Sequence, residues 1–186
     1  MAEEASRLDE YLAAVGAVAG LSVRVDEALE VATLRYFAPQ GEFAAVLRKI
    51  TGLTLPGAQE AASAPDGQLI LAWRSPTETL CLAGNPARLV QIAARLDGLE
   101  DGCLVSLTGG LQVLRVTGER SADLLCRLGG TGSIPRPGEA RRSRMADVPV
   151  LAVSLTAGET LLVVDRAYSE HLMGWIRETL LDFAVA

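Results

Sequence analysis

Few residues in this chain have both the type and the spacing that catalysis or metal binding requires. His171 is the only histidine and could serve as a general base, but no nucleophile lies at a fixed spacing from it, which favours a structural histidine. Cys81, Cys103 and Cys126 are odd in number, widely separated and placed in apolar runs. They predict buried, reduced thiols of a cytosolic protein rather than a metal site or a disulfide framework.

Two other groups of residues could hold a ligand. The run 129–133 has the composition of a phosphate-binding loop, but such loops lead from a strand into a helix. This run follows a predicted helix and precedes Pro135, which favours a flexible connector. The carboxylates Asp26, Glu27 and Glu30 are close in sequence, yet no motif positions a second acid beside them. They predict a solvated turn.

The densest basic patch contains Arg136, Arg141, Arg142 and Arg144. In a chain of net charge −6 it could grip an acidic partner surface or the glutamate tail of a folate, with a solvated loop as the alternative. We predict a partner interface at these four arginines. We predict no catalytic, cofactor-binding or metal-ligating residue in this chain.

The composition predicts a folded protein that binds neither nucleic acid nor a membrane. Of the 186 residues, 49% are hydrophobic and 22% are charged. Nucleic-acid binding requires clustered positive charge, which the net charge disfavours. An acidic N-terminus disfavours a secretory signal, and the apolar stretch 11–25 is interrupted by Gly16, Gly20 and Arg24, so it is unsuited to span a bilayer. These features predict a cytoplasmic protein.

Apolar periodicity predicts the elements that position these residues. Strands are predicted at residues 31–37, 68–73, 79–83, 103–107, 111–117, 144–154 and 160–164. The predicted helices bury Leu8, Leu12 and Val15; Phe43, Val46, Leu47 and Ile50; Leu89, Ile92, Ala93 and Leu96; Leu124, Leu125 and Leu128; and Tyr168, Leu172, Trp175, Ile176, Thr179 and Phe183. Asn85 and Asp165 are predicted helix caps. Residues 53–66 and 129–138 are predicted loops.

A unit of about eighty residues occurs twice along the chain. Residues 34–52 and 78–89 recur in the same order as residues 114–130 and 159–172. Each copy is predicted as strand, helix, strand, strand, helix and a closing strand, which is the ferredoxin-like or split β-α-β pattern.

The repeat predicts an α+β protein of two tandem ferredoxin-like modules with pseudo-twofold symmetry. We expect one compact body, in which each module covers the open sheet face of the other. The predicted domains are an N-terminal helical or extended segment, 1–29, a first module, 30–102, and a second module, 103–186. Trp73 and Trp175 are predicted to pack in the core.

Several spaced segments resemble known families. Residues 106–128 are similar to the segment of glycine-cleavage aminomethyltransferases in which a strand enters a Val-Thr-Gly turn and then a helix. Residues 142–154 and 160–184 resemble the gamma subunit of heterotetrameric sarcosine oxidase. The matching positions there are Arg142, Met145, Ala146, Val148, Val150, Leu151, Val164, Asp165, Arg166, Ala167, Tyr168 and Trp175, with a similar turn at Trp73, Ser75, Pro76, Thr77 and Glu78.

The resemblance covers residues 70–186, with weaker support over 30–50. Met145, Asp165 and Ala167 depart from the family's leucine, proline and serine, and these changes are mild for packing.

The resemblance implies an aminomethyltransferase-like fold and an accessory role. Such sarcosine oxidases oxidatively demethylate sarcosine, with oxygen as electron acceptor and tetrahydrofolate as one-carbon acceptor. A gamma subunit is expected to have no active site and no cofactor of its own, with FAD, FMN, NAD and tetrahydrofolate held by partner subunits. The expected partners are the alpha, beta and delta subunits, in sarcosine catabolism and one-carbon metabolism. The folate-site aspartate of aminomethyltransferases matches no motif here.

Two alternatives stay open. The Val116-Thr117-Gly118 turn and its surroundings also suit a folate-binding, aminomethyltransferase-like module that acts on one-carbon units. A stand-alone scaffold that forms a homodimer when isolated is the other alternative.

Overall fold

The computed structural model describes residues 20–185, with side chains described up to Phe183. The helix predicted from Leu8, Leu12 and Val15 lies outside the described residues. The strands are β1 Ser22–Val25, β2 Glu30–Tyr36, β3 Ala61–Ser63, β4 Leu69–Ser75, β5 Glu78–Ala83, β6 Gly102–Ser106, β7 Leu111–Thr117, β8 Glu139–Met145, β9 Val148–Thr156 and β10 Glu159–Asp165. The helices are α1 Glu42–Thr51, α2 Pro86–Leu96, α3 Ser121–Gly129 and α4 Arg166–Val185, with a 3-10 turn at Thr131–Ser133. The predicted α+β class is confirmed.

The strands form two five-stranded sheets with corresponding strand orders. One sheet has the order β3-β4-β5-β2-β6 and the other β8-β9-β10-β7-β1. The element sequence β2-α1-β3-β4-β5-α2 of the first matches β7-α3-β8-β9-β10-α4 of the second. In the second sheet, the position that β6 occupies in the first is filled by β1, which comes from the N-terminal side of the chain.

The chain divides into two compact units whose boundaries differ from the predicted ones. The first unit contains Ala28–Thr108 and Gly138–Ala140; the second contains residues 20–27, Gly109–Pro137 and residues 141–185. Strand β6 was predicted to open the second module. It pairs instead with β2 of the first unit, where Cys103 lies opposite Arg35. Strand β1, predicted as part of a separate N-terminal segment, pairs with β7.

In the first unit, α1 and α2 cover one face of the sheet. The shared core contains Ala32, Leu34, Tyr36, Phe43, Leu47, Ala64, Leu69, Leu71, Cys81, Ala83, Leu89, Ile92 and Leu96. The predicted cap of α2 is confirmed, since the Asn85 carboxamide oxygen accepts a hydrogen bond from the Ala87 N–H at 2.9 Å and Pro86 follows the cap.

In the second unit, α3 and α4 cover one sheet face in the same way. Their core includes Leu114, Val116, Leu124, Leu125, Val150, Leu162, Leu172, Ile176 and Phe183. The predicted cap at Asp165 is confirmed by a 2.9 Å hydrogen bond from the Ala167 N–H. Tyr168 and Trp175, predicted on the buried face of α4, are instead 46% and 54% exposed, so core packing was the wrong prediction for Trp175.

Two predicted elements differ from the structure for local reasons. Residues 144–154 are not one strand but parts of β8 and β9, which are joined at Ala146 and Asp147. Both joining residues have positive φ, 49° and 64°, as a tight hairpin turn requires. The predicted loop 53–66 contains the three-residue strand β3, which is too short to show periodicity.

The sheet faces that point away from the helices are also buried along the central strands of each sheet. In the first unit these faces carry Ile70, Leu80 and Leu82, and in the second Val113, Val153 and Leu161. Strands that are buried on both faces have continuous apolar runs rather than alternation. This explains why β4, β5, β9 and β10 are apolar along most of their length.

Candidate functional site

His171 lies on the exposed side of α4, away from any catalytic constellation. Its Nε2 atom is 3.0 Å from the carbonyl oxygen of Ala146, in the hairpin between β8 and β9. Within the part of the chain that the structure describes, no group of three His, Cys, Asp or Glu side chains could hold a metal ion. The contact to Ala146 ties the start of α4 to the hairpin, which is a structural role.

The three cysteines have three different environments. Cys81 is buried in the core of the first unit, and desolvation raises the pKa of its thiol to about 12. Cys126 on α3 is half-buried. Cys103 on β6 is exposed, so the prediction of a buried thiol is wrong there. A residue in an edge strand can expose its side chain even within an apolar run.

The glycine-rich run 129–133 leads from a helix toward a strand. Helix α3 ends at Gly129, and the 3-10 turn Thr131–Ser133 follows. The Ser133 hydroxyl is buried and donates to the Gly129 carbonyl at 2.6 Å. The turn therefore packs against the end of α3, and its amides do not open a following helix as those of a phosphate loop do.

The four arginines of the predicted interface are not on one face. Arg136 precedes β8, whereas Arg141, Arg142 and Arg144 lie within it. Neighbouring residues of a strand point to opposite faces, which separates Arg141 from the other two. Arg141 donates to the Gly132 carbonyl at 3.3 Å, and the Arg144 guanidinium donates to the Asp147 carbonyl. A partner interface at these residues stays a prediction.

Asp26 belongs to an ion network that sequence reasoning missed. Its carboxylate is 2.6 Å from Nη2 of Arg115 on β7, and the Arg115 guanidinium also pairs with Glu159 on β10. The Asp26 side chain is only 5% exposed, so the prediction of a solvated turn is wrong for this residue. Glu30 accepts a hydrogen bond from the Thr108 hydroxyl. An arginine inside the apolar strand β7 was the signal that an acidic partner must lie nearby.

A concavity of about 640 Å³ opens on the surface of the first unit. Its lining residues are Arg35, Tyr36, Phe37, Thr77, Glu78, Glu100, Gly102 and Cys103. Nε of Arg35 is 2.9 Å from Oε1 of Glu78, so these opposite charges are paired. Phe37 is 84% exposed at its rim. This combination of exposed apolar surface and a neutralised charge pair suits contact with another molecule better than proton transfer.

The described helices include none that is both long enough and apolar enough to cross a membrane.

No family model and no curated protein matches this chain. Solved structures do match. A chain of the heterotetrameric sarcosine oxidase from Corynebacterium sp. U-96, in complex with pyrrole 2-carboxylate, superposes with a TM-score of 0.85 at 23% identity, covering 98% of this chain and 95% of that one. The glycine cleavage system aminomethyltransferase T from Bartonella henselae superposes with a TM-score of 0.62 at 14% identity.

The coverage differs between these two structures. The match to the aminomethyltransferase covers 94% of this chain but only 53% of that protein. The sarcosine oxidase chain is matched over nearly its whole length. The resemblance inferred from the sequence is therefore confirmed at the level of the fold.

Proposed function

We propose that this chain is the accessory gamma subunit of a heterotetrameric sarcosine oxidase complex. The observation that supports it is the match over 98% of this chain and 95% of a sarcosine oxidase chain. Because the superposition covers nearly all of both chains, this chain is comparable in fold and extent to one chain of that complex.

The finer features of the proposal follow from the resemblance. The two sheets correspond to tandem ferredoxin-like modules with pseudo-twofold symmetry. The chain assembles with alpha, beta and delta subunits in the cytoplasm. FAD, FMN, NAD and tetrahydrofolate are held by those subunits, and this chain contributes surface and stability without acid, base or nucleophile.

Co-expression with the neighbouring reading frames tests the proposal. Affinity purification of this chain is expected to recover a flavoprotein in fixed stoichiometry, with sarcosine-dependent oxygen consumption. The preparation lacking this chain is expected to lose assembly rather than flavin binding. A chain that elutes alone, with no flavin absorbance and no associated polypeptide, contradicts the proposal.

A folate-binding, aminomethyltransferase-like module is the second candidate. The superposition on aminomethyltransferase T favours it, together with the strand-turn-helix passage from β7 through Gly118 into α3. Titration of the isolated chain with tetrahydrofolate separates the two proposals. A saturable thermal shift supports the module, and no shift at about millimolar ligand, where even weak sites fill, rejects it. Gel filtration of the isolated chain tests the homodimeric scaffold.

A further inference from the structure

Strand β6 is an open edge of the first unit's sheet. It pairs with β2 on one side, and no described strand pairs on its other side. The flanking hydrogen bonds run from the Phe37 N–H to the Asp101 carbonyl at 3.0 Å and from the Leu107 N–H to the Val31 carbonyl at 2.8 Å. The bonded pairs of an antiparallel ladder alternate with non-bonded ones.

The same alternation defines what β6 presents outward. Because residues 101 and 107 bond toward β2, the residues bonded in the same direction are Cys103 and Val105. The N–H and C=O groups of Gly102, Leu104 and Ser106 point away from the sheet. Such a row of unpaired backbone groups is a template for another strand.

Among the described strands, those at the other sheet edges are protected by their short length or their charge, and β6 is not. Edge strands normally avoid unwanted pairing by being very short or by carrying charges or proline. Strand β3 has three residues, β1 has four including an arginine, and β8 carries three arginines and a glutamate. Strand β6 has the sequence GCLVS, without charge or proline. An unprotected edge in this context is typical of a docking edge.

The side chains beside this edge are apolar and exposed. Val105 is 40% exposed and Phe37 is 84% exposed, while Cys103 is also exposed. Odd-numbered residues of β2 and β6 share the sheet face opposite the helices, because Leu34 and Leu104 contribute to the helix-facing core. The concavity lined by Phe37 and Cys103 opens next to the same edge. A docked strand would cover these side chains.

The charged residues at the two ends of β6 determine which kind of segment can pair with this strand. Glu100 precedes β6 and has no ion pair among the described residues, and Glu30 is held at the opposite end by Thr108. Pairing of β6 with β6 of a second copy about Leu104 would place Glu100 opposite Thr108 and near Glu30. Like charges there oppose a homodimer, whereas basic residues flanking an uncharged strand would complement both ends.

We propose that β6 docks one extended, uncharged segment of a partner subunit, flanked by basic residues, as an added sixth strand of this sheet. This inference rests on the proposed subunit role, since the occupant belongs to one of the partner chains. The backbone hydrogen bonds supply affinity, and the exposed apolar side chains supply specificity.

Hydrogen exchange on the complex purified by co-expression tests the inference directly. In the isolated chain, the amides of Gly102, Leu104 and Ser106 are expected to exchange rapidly, while those of Cys103 and Val105 are protected. In the complex, the three outward amides are expected to gain at least about tenfold protection, because one added hydrogen bond is worth about 1.4 kcal/mol, which is a factor of ten. Helix α3 of the second unit is the internal control. Alkylation of Cys103 is expected to slow in the complex, with Cys126 as reference.

Substitutions at the edge provide the second arm. Ser106→Pro removes one outward N–H, and Val105→Lys adds the missing edge charge. Each is expected to weaken retention of the partner at least about tenfold while leaving the thermal midpoint of the isolated chain nearly unchanged. Leu181→Lys is the matched control, because Leu181 is 40% exposed, as Val105 is, and lies on α4 of the second unit.

The outcomes separate the two proposals. A complex that forms without protection of the three amides, or that retains both variants as well as the parent chain, overturns strand addition and leaves the subunit role standing. If the three amides are protected in the isolated chain and that chain forms a dimer, a second copy is the occupant. This result also overturns strand addition by a partner subunit. Failure to form any complex overturns both.

Discussion

At the scale of single residues, most polar side chains whose partners the structure describes form contacts that stabilise the fold. Arg115 lies in β7 and is paired with Asp26, which directly follows β1, and with Glu159, the first residue of β10. One guanidinium therefore links β7 to β10 and to the end of β1. A charge in this position is tolerated because both of its acidic partners are also held in place.

Replacing Asp26 by asparagine is expected to lower the free energy of unfolding by about 2 kcal/mol, the size of a hydrogen bond to a charged group. Arg115 keeps its charge and its pair with Glu159 but loses a buried partner. Urea denaturation measures the loss. The matched control is Asp66→Asn, at the exposed pair with Arg88, where a negligible change is expected. Equal losses in the two variants would show that the Asp26 pair is no stronger than a surface pair.

Cys81 is expected to resist thiol reagents until the chain unfolds, because burial raises its pKa to about 12. An unfolded thiol ionises near pH 8.5. As the pH rises above that value, the unfolded state loses this proton first, so stability must fall toward pH 12. Labelling of the native chain is expected to modify Cys103 first. A Cys81→Ala variant is expected to lose less stability over the same alkaline range, and an identical slope would refute this account.

At the scale of elements, helix α1 receives its N-terminal cap from a distant part of the chain. Its N-cap residue, Gly41, has no side chain, and the Asp101 carboxylate accepts from the Phe43 N–H at 3.0 and 3.1 Å. A Cβ atom on Gly41 would lie 2.2 Å from that carboxylate. Glycine at position 41 therefore leaves space for a cap that comes from just before β6.

Substituting Asp101 by alanine is expected to reduce the free energy of unfolding by about 1 kcal/mol, which is typical of a lost N-cap. Asp97→Ala is the control, because this exposed residue is the C-cap of α2 and its carboxylate has no hydrogen-bond partner among the described residues. In addition, Gly41→Ala is expected to be less harmful when Asp101 is already alanine, which a double-mutant cycle measures. Additive effects would show that the two sites are independent.

At the scale of the whole molecule, the second unit is discontinuous in sequence. Its sheet is completed by β1, and the side chains of Val23 and Val25 in this strand and of Leu21 just before it belong to the core beneath α3 and α4. At the junction, a Cβ atom on Gly118 would lie 2.0 Å from the Gly20 carbonyl oxygen, so the start of β1 approaches the turn after β7 closely. Residues 22–25 are thus part of a sheet, and this segment is not a separable tail.

A chain that begins at residue 28 is expected to be at least about 3 kcal/mol less stable than one that begins at residue 20, because three buried aliphatic side chains are lost from the core. Comparing these two truncations measures the combined contribution of β1 and of the ion pair between Asp26 and Arg115. Chemical denaturation provides the measurement, and hydrogen exchange of β7 localises the effect. Equal stability would mean that β1 contributes nothing to the second unit.

The sequence by itself determined most elements and their class. The spacing of Phe43 and Leu47 indicated α1, and Asn85 followed by Pro86 marked the start of α2. These signals are local, because a helix or a tight turn is stabilised by residues close together in the chain. The duplicated order of elements, and the family resemblance that rested on spaced motifs, were likewise visible without coordinates.

Only the tertiary structure decided which sheet each edge strand joins and which polar groups meet. Strand β1 pairs with residues about ninety positions away in the chain, and no periodicity specifies so distant a partner. Periodicity likewise does not specify that Asp26 pairs with Arg115 or that Asp101 caps α1. In both cases folding brings the carboxylate to its partner. Pairing and burial are collective properties of the folded chain, whereas periodicity records only the preference of each segment.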